Sequence, residues 1–366
     1  MIYGERIKQA RELSGLTQRE LAEQVGVHQS TIAYIEIGRL LPSGETLESI
    51  AKNTQVLPSF FSQAPIEDFA MGSLAYRARK GLRAIERDEA YQFAKLCVEQ
   101  ARHMAAKLNL PPLVVPPPAN DPIEAARLAR LSLEVDSEKP IPNLINVLER
   151  KGFLLIALPF ELQGFDAFCT WAVIDQERPI IAISSGKPGD RQRFSVAHEL
   201  AHLVLHKGIP AGLTILEREA DQFAAEFLLP GNPMRQIMSP NFNLTAAARL
   251  KLRWGVSMQA LVRRAHDLRI ITDRHYRYLF EQISRRGWKM REPTNLDIPV
   301  EKPRTFRKMV EMNYGLLYEL EKLASAMHVT PIRADNLLSE YAVGMGRPAL
   351  EGTEEYIYSQ GNQGRN

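Results

Sequence analysis

The pattern His198-Glu199-Leu200-Ala201-His202 constrains this chain more than any other feature of its sequence. Residues four apart lie one turn up on the same helix face, so the two imidazoles can share one tetrahedral zinc ion and leave room for another ligand and a water. Glu199 lies beside them and can accept a proton from the water that attacks a peptide carbonyl, then pass it to the leaving amine. The pattern predicts a zinc-dependent peptidase site with His198 and His202 as metal ligands and Glu199 as the catalytic base.

The residues around this pattern indicate that its helix is buried. Apolar side chains cover almost every side of it, namely Phe194, Val196, Ala197, Leu200, Ala201, Leu203, Val204 and Leu205. Unpaired polar groups are costly to bury, so two histidines and a glutamate on such a helix need a function. The alternative, that both histidines are merely hydrogen-bonded core residues, explains a lone histidine better than it explains this pair with Glu199.

The next predicted helix, residues 217–230, supplies several carboxylates for a third metal ligand. Glu217 and Glu219 are two residues apart and point about 160° away from each other around a helix, so both cannot face the metal. Glu217 and Asp221 are four apart and share one face. Glu226 is interpreted as part of a solvated face.

The two motifs HELAH and EREADQFAAEFLLP together resemble the ImmA/IrrE family of metallopeptidases, and the similarity runs from roughly Asp121 to Leu268. The resemblance implies an α+β zincin-like domain that binds Zn²⁺. By matching position it implies Glu217 as the third zinc ligand, with Glu219 as the less favoured rival. It also implies that Asp221 orients a ligand histidine through the ring nitrogen that does not bind metal.

His206 continues the ladder of histidines. It would lie about 12 Å from His198 along an unbroken helix at 1.5 Å per residue, so the two cannot share a metal. We interpret His206 as a residue at the helix carboxyl terminus, where the helix dipole favours it.

Two other parts of a peptidase site are less well defined by the sequence. The nearest ionisable candidates for stabilising an oxyanion are Arg193 and His266, and each is better explained as structural, so this residue stays unassigned. A peptide substrate is expected to lie extended along an edge strand, formed either by residues 168–174 or by residues 180–184.

The amino-terminal residues 16–38 predict two short helices around a tight turn. Thr17 and Glu20 have the spacing of a capping box, and Gly26 can adopt the left-handed conformation of the turn. Short polar groups at the start of the second helix suit base edges in a major groove. These candidate DNA contacts are His28, Gln29, Ser30, Thr31 and Tyr34.

Residues 3–61 resemble the Xre/Cro-like helix-turn-helix family. The resemblance includes the motif Gly-Arg-x-x-Pro-Ser at residues 38–43, which follows the second helix. The resemblance implies phosphate contacts by Gln18 and Arg39 and base contacts by Gln29 and Ser30, on a double-stranded DNA operator. Residues 1–62 hold six Lys/Arg and seven Asp/Glu, so the basic excess that supplies affinity is absent. The alternative is a small bundle that binds protein. A homodimer would compensate for weak half-site binding, and the predicted helix at residues 83–108 is a candidate dimer element, although core packing is the default for a single helix.

Composition and turn signals, mainly glycine and proline, divide the chain into four regions. The patterns within these regions predict a mainly α fold with a small β-sheet. The regions are a helix-turn-helix bundle at 1–62, a linker helix and proline-rich connector at 63–118, a peptidase domain at 119–286 and a helical region of unknown role at 287–366. The predicted strands are residues 153–158, 168–174 and 180–184. The sequence shows no internal repeat.

Composition limits the classes of protein that fit. A chain of 366 residues predicts two or three domains, and 45% hydrophobic with 24% charged residues is typical of a globular protein. No run approaches the ~18 apolar residues that a membrane helix needs. Two cysteines far apart, with no signal-peptide core, favour a reducing cytoplasm over secretion, and a net charge of +3 permits a nucleic-acid partner.

These features predict a DNA-binding regulator with a zinc-dependent endopeptidase domain. Its substrate would be a repressor, an antitoxin or the chain itself, cut in a stress, phage or mobile-element response. The alternative is a transcription factor whose zinc fold serves as a sensor or scaffold with little hydrolysis. The presence of Glu199 favours the peptidase, because a scaffold has no use for the base.

Overall fold

The amino-terminal head is a bundle of four helices closed by a short 3-10 turn. In this computed structural model, which describes residues 1–70, 83–162, 166–209, 214–316 and 319–342, the helices are α1 (Gly4–Leu13), α2 (Gln18–Val25), α3 (Gln29–Glu36) and α4 (Gly44–Asn53), and the turn is Pro58–Ser62. The predicted capping box is confirmed, because Thr17 accepts from the N–H of Glu20 while the Glu20 carboxylate accepts from the N–H of Thr17. Gly26 ends α2 at φ 78°, a conformation that costs glycine little. The head therefore has the predicted helix-turn-helix geometry.

A long helix, α5 (Ala84–Ala105), lies in the core of the chain. It corresponds to the helix predicted at residues 83–108. Six of its apolar residues are at most 2% exposed, namely Ala90, Phe93, Ala94, Cys97, Val98 and Ala101. These residues pack inside the chain, so they offer no apolar face to a second copy.

The sheet has three strands, β1 (Leu154–Ala157), β2 (Ala167–Val173) and β3 (Glu177–Ile183), in the order β1-β3-β2. β1 and β3 run parallel, and β2 and β3 form an antiparallel hairpin that pairs Trp171 with Pro179. All three predicted strands are present. β3 is central, so the expectation that residues 180–184 provide an edge is wrong, and β2 is the edge strand beside β3.

Both faces of the sheet are buried, each against a different core. Alternate residues point to opposite faces of a strand, so Ile180 and Ala182 face the core that contains the head and α5, whereas Ile181 and Ile183 face the core that contains the metal-motif helix. The two free cysteines are buried in different cores, Cys97 in the first and Cys169 in the second.

The remaining regular elements of the described chain are helices, which confirms the predicted fold class. They are α6 (Pro122–Ser132), α7 (Leu144–Arg150), α8 (Gly189–Leu205), α9 (Thr214–Leu228), α10 (Gly231–Ile237), α11 (Leu244–Trp254), α12 (Met258–Asp267), α13 (Asp273–Arg285), a 3-10 turn (Thr294–Leu296), α14 (Thr305–Tyr314), α15 (Leu320–Ala326) and α16 (Pro331–Ser339). Within the described ranges no helix is long and apolar enough to span a membrane.

The carboxyl-terminal helices return to the head and the sheet. The Glu149 carboxylate accepts from the N–H of Arg304 and of Thr305, and the Tyr341 hydroxyl accepts from the N–H of Ala157 in β1 at 3.2 Å. The buried apolar residues of α14, α15 and α16 belong to the same core as the head and α5. The four-region division of the chain stays a prediction, and residues 343–366 of its last region lie outside the described residues.

Two short helix–turn segments of this core are similar in sequence. Residues 47–58, the head helix–turn, and residues 320–331, the carboxyl-terminal helix–turn, are identical at five of twelve positions. The identical pairs are Leu47/Leu320, Glu48/Glu321, Ala51/Ala324, Val56/Val329 and Pro58/Pro331.

Candidate metal centre and nucleic-acid interface

The helix that carries the metal motif, α8, is fixed at its start by close packing and buried charge pairs. A Cβ atom on Gly189 would lie 2.3 Å from the carbonyl oxygen of Pro299, so glycine is required where these backbones meet. Next to it, Asp190 pairs with Lys251, which also donates to the Glu292 carboxylate at 2.8 Å. These contacts set the position of α8 more than two turns before its first histidine.

Three side chains converge where α8 faces α9. The Nε2 atoms of His198 and His202 are 3.1 Å apart, and Glu217 oxygens lie 3.3 Å from His202 Nε2 and 3.8 Å from His198 Nε2. Ligand atoms about 2.1 Å from a tetrahedral zinc ion would be separated by about 3.4 Å, so the donor set and its spacing fit zinc. Among the described residues, these three form a group of possible metal ligands whose donor atoms all lie within 4.8 Å of one another.

A carboxylate lies behind the first of these histidines. The Asp221 Oδ1 atom is 2.9 Å from His198 Nδ1, the ring nitrogen that faces away from the other two donors. A proton on Nδ1 that is shared with Asp221 would leave Nε2 as the nitrogen that faces the other two donors. The structure thus brings Asp221 to the position that the sequence predicted for it.

The second histidine has an indirect carboxylate partner that the sequence did not predict. His202 Nδ1 is 2.8 Å from His206 Nδ1, and His206 Nε2 is 3.1 Å from Glu219 Oε2. His206 ends α8, as expected, and its backbone N–H bonds to the carbonyl of His202 at 3.1 Å. Burial lowers the pKa of His206, which favours the neutral ring that can accept from His202. Two sequence signals point to this indirect partner. One is the four-residue spacing of His202 and His206, and the other is that Glu219 faces away from Glu217.

Glu199 and the two candidates for the oxyanion occupy different environments. Glu199 is 1% exposed and lies on α8 beside His198. Arg193 is also buried, where it pairs with Glu301 and donates to the carbonyl of Ile141 at 2.7 Å. His266 bonds to Asp273 at 2.7 Å. Arg193 and His266 therefore have structural partners, in line with their interpretation from the sequence.

The interpretation of Glu226 as a solvated residue is wrong. Its side chain is 4% exposed and accepts from Arg127 at 3.1 Å and from Arg264. Glu226 also accepts from the N–H of Gly231 at 3.3 Å, so it fixes the turn that follows α9. Glu226 lies nine residues after Glu217, so the helical period gives its direction relative to Glu217. Which helices cover that face depends on tertiary packing.

A cleft of about 1120 Å³ borders the metal centre on the side of α9. Glu217 and Asp221 line it together with Ser195 and the basic side chains of Arg127 and Arg218. The edge strand β2 is buried over most of its length, and Val173 at its end is 56% exposed. The cleft offers a polypeptide an approach to Glu217 and Asp221.

The amino-terminal half of α3 presents the predicted polar side chains to solvent. His28, at the N-cap position, is exposed with Gln29, Ser30 and Arg39, Tyr34 is 50% exposed, and Thr31 is half-buried. The structure places all of them on or just beside one helix-turn-helix, but their contacts with DNA stay predictions.

Gln18 is held by a chain of hydrogen bonds at the base of this surface. Gln29 donates to the Gln18 amide oxygen at 2.7 Å, and Gln18 donates to the Glu36 carboxylate at 2.8 Å. Glu36 in turn pairs with Arg11 in the core of the head. The amides of Gln18 and Gln29 are thereby oriented before any ligand is present.

Comparison with known families matches two parts of the chain. Residues 7–61 match the helix-turn-helix family model, and residues 148–266 match the M78 peptidase family, described as the IrrE N-terminal-like domain. A comparison with curated proteins gave no significant match. One solved structure, Bacillus thuringiensis PlcR in complex with the peptide PapR7 and DNA, is 14% identical over 98% of this chain and 99% of that chain. Its TM-score of 0.16 is too low to carry an argument.

Proposed function

Because this chain joins an Xre-like helix-turn-helix domain to an IrrE-like domain of the M78 peptidase family, we propose that it is a DNA-binding regulator whose second domain is a zinc-dependent endopeptidase. Its substrate is a specific protein, either a repressor, an antitoxin or the chain itself, cut in a stress, phage or mobile-element response. The observation that carries the proposal is the convergence of His198, His202 and Glu217 within 4.8 Å, next to the buried Glu199.

The chemistry assigned to the chain's own residues follows from this geometry. His198, His202 and Glu217 would hold Zn²⁺, which when bound polarises a carbonyl and makes water a better nucleophile at neutral pH. Glu199 takes the proton of the attacking water and delivers it to the leaving amine. Asp221 keeps the Nε2 atom of His198 directed at the metal position.

The head would bind an operator through the exposed start of α3. Gln29 and Ser30 would contact base edges, and Gln18 and Arg39 would contact phosphates. Pairing of two copies would add the affinity that a head without excess basic charge lacks.

Replacing the base separates hydrolysis from metal binding. Glu199→Gln is expected to keep zinc near one ion per chain, because the ligands remain, and to lower cleavage by about 10²–10⁴-fold, because the proton acceptor is lost. Zinc is measured by elemental analysis of protein purified without chelator. Cleavage is measured on candidate proteins encoded beside the gene and on the chain itself. Glu177→Gln, an exposed carboxylate paired with Lys207, is the matched control and should leave both unchanged.

The outcomes distinguish the two functions that the sequence leaves open. Zinc near zero in the unchanged chain rejects the metal centre. Undiminished cleavage by Glu199→Gln rejects the assigned base. If DNA-linked regulation survives Glu199→Gln untouched, the zinc fold acts as a sensor or scaffold instead of a peptidase.

A further inference from the structure

The two helix–turn segments fold in the same way as well as sharing sequence. In the head, Gln55 adopts φ 54°, and the N–H of Val56 bonds to the carbonyl of Ala51 at 3.1 Å. In the carboxyl-terminal copy, His328 adopts φ 57°, and the N–H of Val329 bonds to the carbonyl of Ala324 at 3.0 Å. Glu134 and Arg269 end helices in turns of the same kind, so the match shows that the two segments share a backbone conformation, and their contact with each other sets them apart.

The two copies pack against each other through a symmetric contact. Val56 and Val329 face each other in an isolated antiparallel bridge. The N–H of Leu57 donates to the carbonyl of His328 at 3.0 Å, and the equivalent N–H of Thr330 donates to the carbonyl of Gln55 at 3.2 Å. Exchanging the copies reproduces both hydrogen bonds. The contact therefore has the local two-fold symmetry of an isologous interface, in which the same surface lies on both sides.

We infer that the head surface centred on Val56 is a self-pairing surface whose partner is the same surface of a second copy of this chain, and that residues 320–331 cover it within the chain. The inference does not depend on the proposed peptidase function. A surface that binds a copy of itself in the same chain can form the same two backbone hydrogen bonds with the head helix–turn of another chain.

Additional contacts favour the covering copy over a second head. Arg333 donates to the carbonyls of Leu13 and Thr54, both at 2.9 Å, and to the Ser14 hydroxyl at 2.9 Å. The equivalent position in the head copy is Phe60, which cannot make these bonds. Attachment in the same chain also raises the effective concentration of the covering copy. The covered state is therefore the ground state, and heads on separate chains pair when the copy is displaced.

The charge of the head gives this covering a consequence for DNA binding. Residues 1–62 carry six basic and seven acidic side chains, so one head gains little affinity from phosphate neutralisation. Two paired heads contact two half-sites at once. Displacement of residues 320–331 would thus raise operator affinity through pairing.

A thiol placed at position 56 of the full chain tests the inference by trapping paired heads. Val56 and Val329 form a non-hydrogen-bonded pair, and such pairs have Cα atoms about 4.5 Å apart, within disulfide range. Val56→Cys combined with Val329→Ala and Arg333→Ala loosens the covering copy. Under mild oxidation it should give disulfide-linked dimers on non-reducing gels at several times the yield of Val56→Cys alone. The two natural cysteines are buried and serve as an internal background.

Two matched variants make the readout specific. Val56→Cys with Val329→Cys should close a disulfide within the chain and stay monomeric at every concentration tested. Leu41→Cys, at a residue of the head that is 75% exposed, reports random collision and should give far fewer dimers in the same loosened background. If the loosened chain does not fold, Val56→Cys with Val329→Ala alone is used, because accumulating disulfides report small open populations.

Each remaining outcome overturns the inference. Equal dimer yields from thiols at positions 41 and 56 show that position 56 is not at a pairing surface. Absence of dimers, although amide exchange shows residues 320–341 released, shows that the surface does not pair. Continued protection of residues 320–341 in the loosened chain shows that the named contacts do not hold the covering copy.

Discussion

At the scale of residues, the two histidines of the candidate metal centre are held in different ways. His198 is oriented directly by Asp221 at 2.9 Å, whereas His202 is oriented through His206, whose other nitrogen meets Glu219 at 3.1 Å. If His202 Nε2 held a metal, its Nδ1–H would donate to His206 and the Nε2–H of His206 would donate to Glu219. A carboxylate would then stand behind each of the two rings, directly or through His206, where it would raise the basicity of the ring and fix its tautomer.

Removing the distant carboxylate should weaken metal binding. Glu219→Gln is expected to lower zinc affinity about tenfold, because partners of this kind typically contribute 10–100-fold and this one acts through an intervening ring. Asp221→Asn should lower it by as much or more. Affinity is measured by competition with a chromophoric chelator, with Co²⁺ spectra as a check on ligand geometry. Glu177→Gln is the control, and equal affinities for it and Glu219→Gln would contradict the role of His206 and Glu219.

At the scale of elements, α5 shows how buried charge joins helices of the head region. Arg6 of α1 donates to Gln9 at 2.8 Å and to Glu99 of α5 at 2.7 Å, with both charged side chains almost fully buried. Another acid of α5, Glu89, lies close to Gly15. Burial raises the pKa of Glu89 from 4.5 to about 7, although Arg333 opposes the shift. A periodic pattern identifies such a helix, but it does not identify which polar side chains the packing buries.

The raised pKa of Glu89 predicts a pH-dependent stability. The unfolded chain ionises this group near pH 4.5 and the folded chain near pH 7, so the folded state binds more protons between these values. Stability from this group is therefore present below pH 4.5 and is lost as the pH rises to about 7. Glu89→Gln should match the unchanged chain at pH 4.5 and exceed it at pH 8 by on the order of 1–3 kcal/mol, towards the lower end because the site is partly solvated. Denaturant unfolding at both pH values measures this, and a difference independent of pH would refute it.

At the scale of the whole molecule, the sheet separates two cores and belongs to both. The first core runs from the head through α5 and one sheet face to the carboxyl-terminal helices, and the second surrounds α8 and α9. The head is therefore not an appended module with its own isolated core. Its interior is continuous with residues more than 250 positions away, such as Val329.

This continuity predicts that the head melts together with the rest of the first core. Ile32→Ala, at a fully buried head position, should lower the main calorimetric transition, by about 2–4 °C for each kcal/mol lost, without creating a separate one. A core truncation of this kind typically costs about 2–5 kcal/mol. Leu41→Ala, at a residue that is 75% exposed, should leave the transition unchanged. A new low-temperature transition confined to the head would show that the head unfolds independently.

The sequence alone determined what depends on local spacing. The four-residue spacing of His198 and His202 places both on one helix face, the capping box at Thr17 starts α2, and short, largely apolar runs form the three strands. The sequence also determined that Glu217 and Glu219 point away from each other, because a separation of two residues turns a helix by about 200°, which equals about 160° in the other direction. These features need no knowledge of distant residues.

Tertiary structure alone decided what depends on contacts between distant parts of the chain. The strand order β1-β3-β2 makes β3 central, and the packing of Arg127 and Arg264 buries Glu226. The approach of α9 to α8 brings Glu219 within hydrogen-bond distance of His206. The meeting of Val56 with Val329 is of the same kind, since their separation along the chain carries no periodic signal. Periodicity specifies the direction of a side chain within its own element, and only the folded chain specifies what lies there.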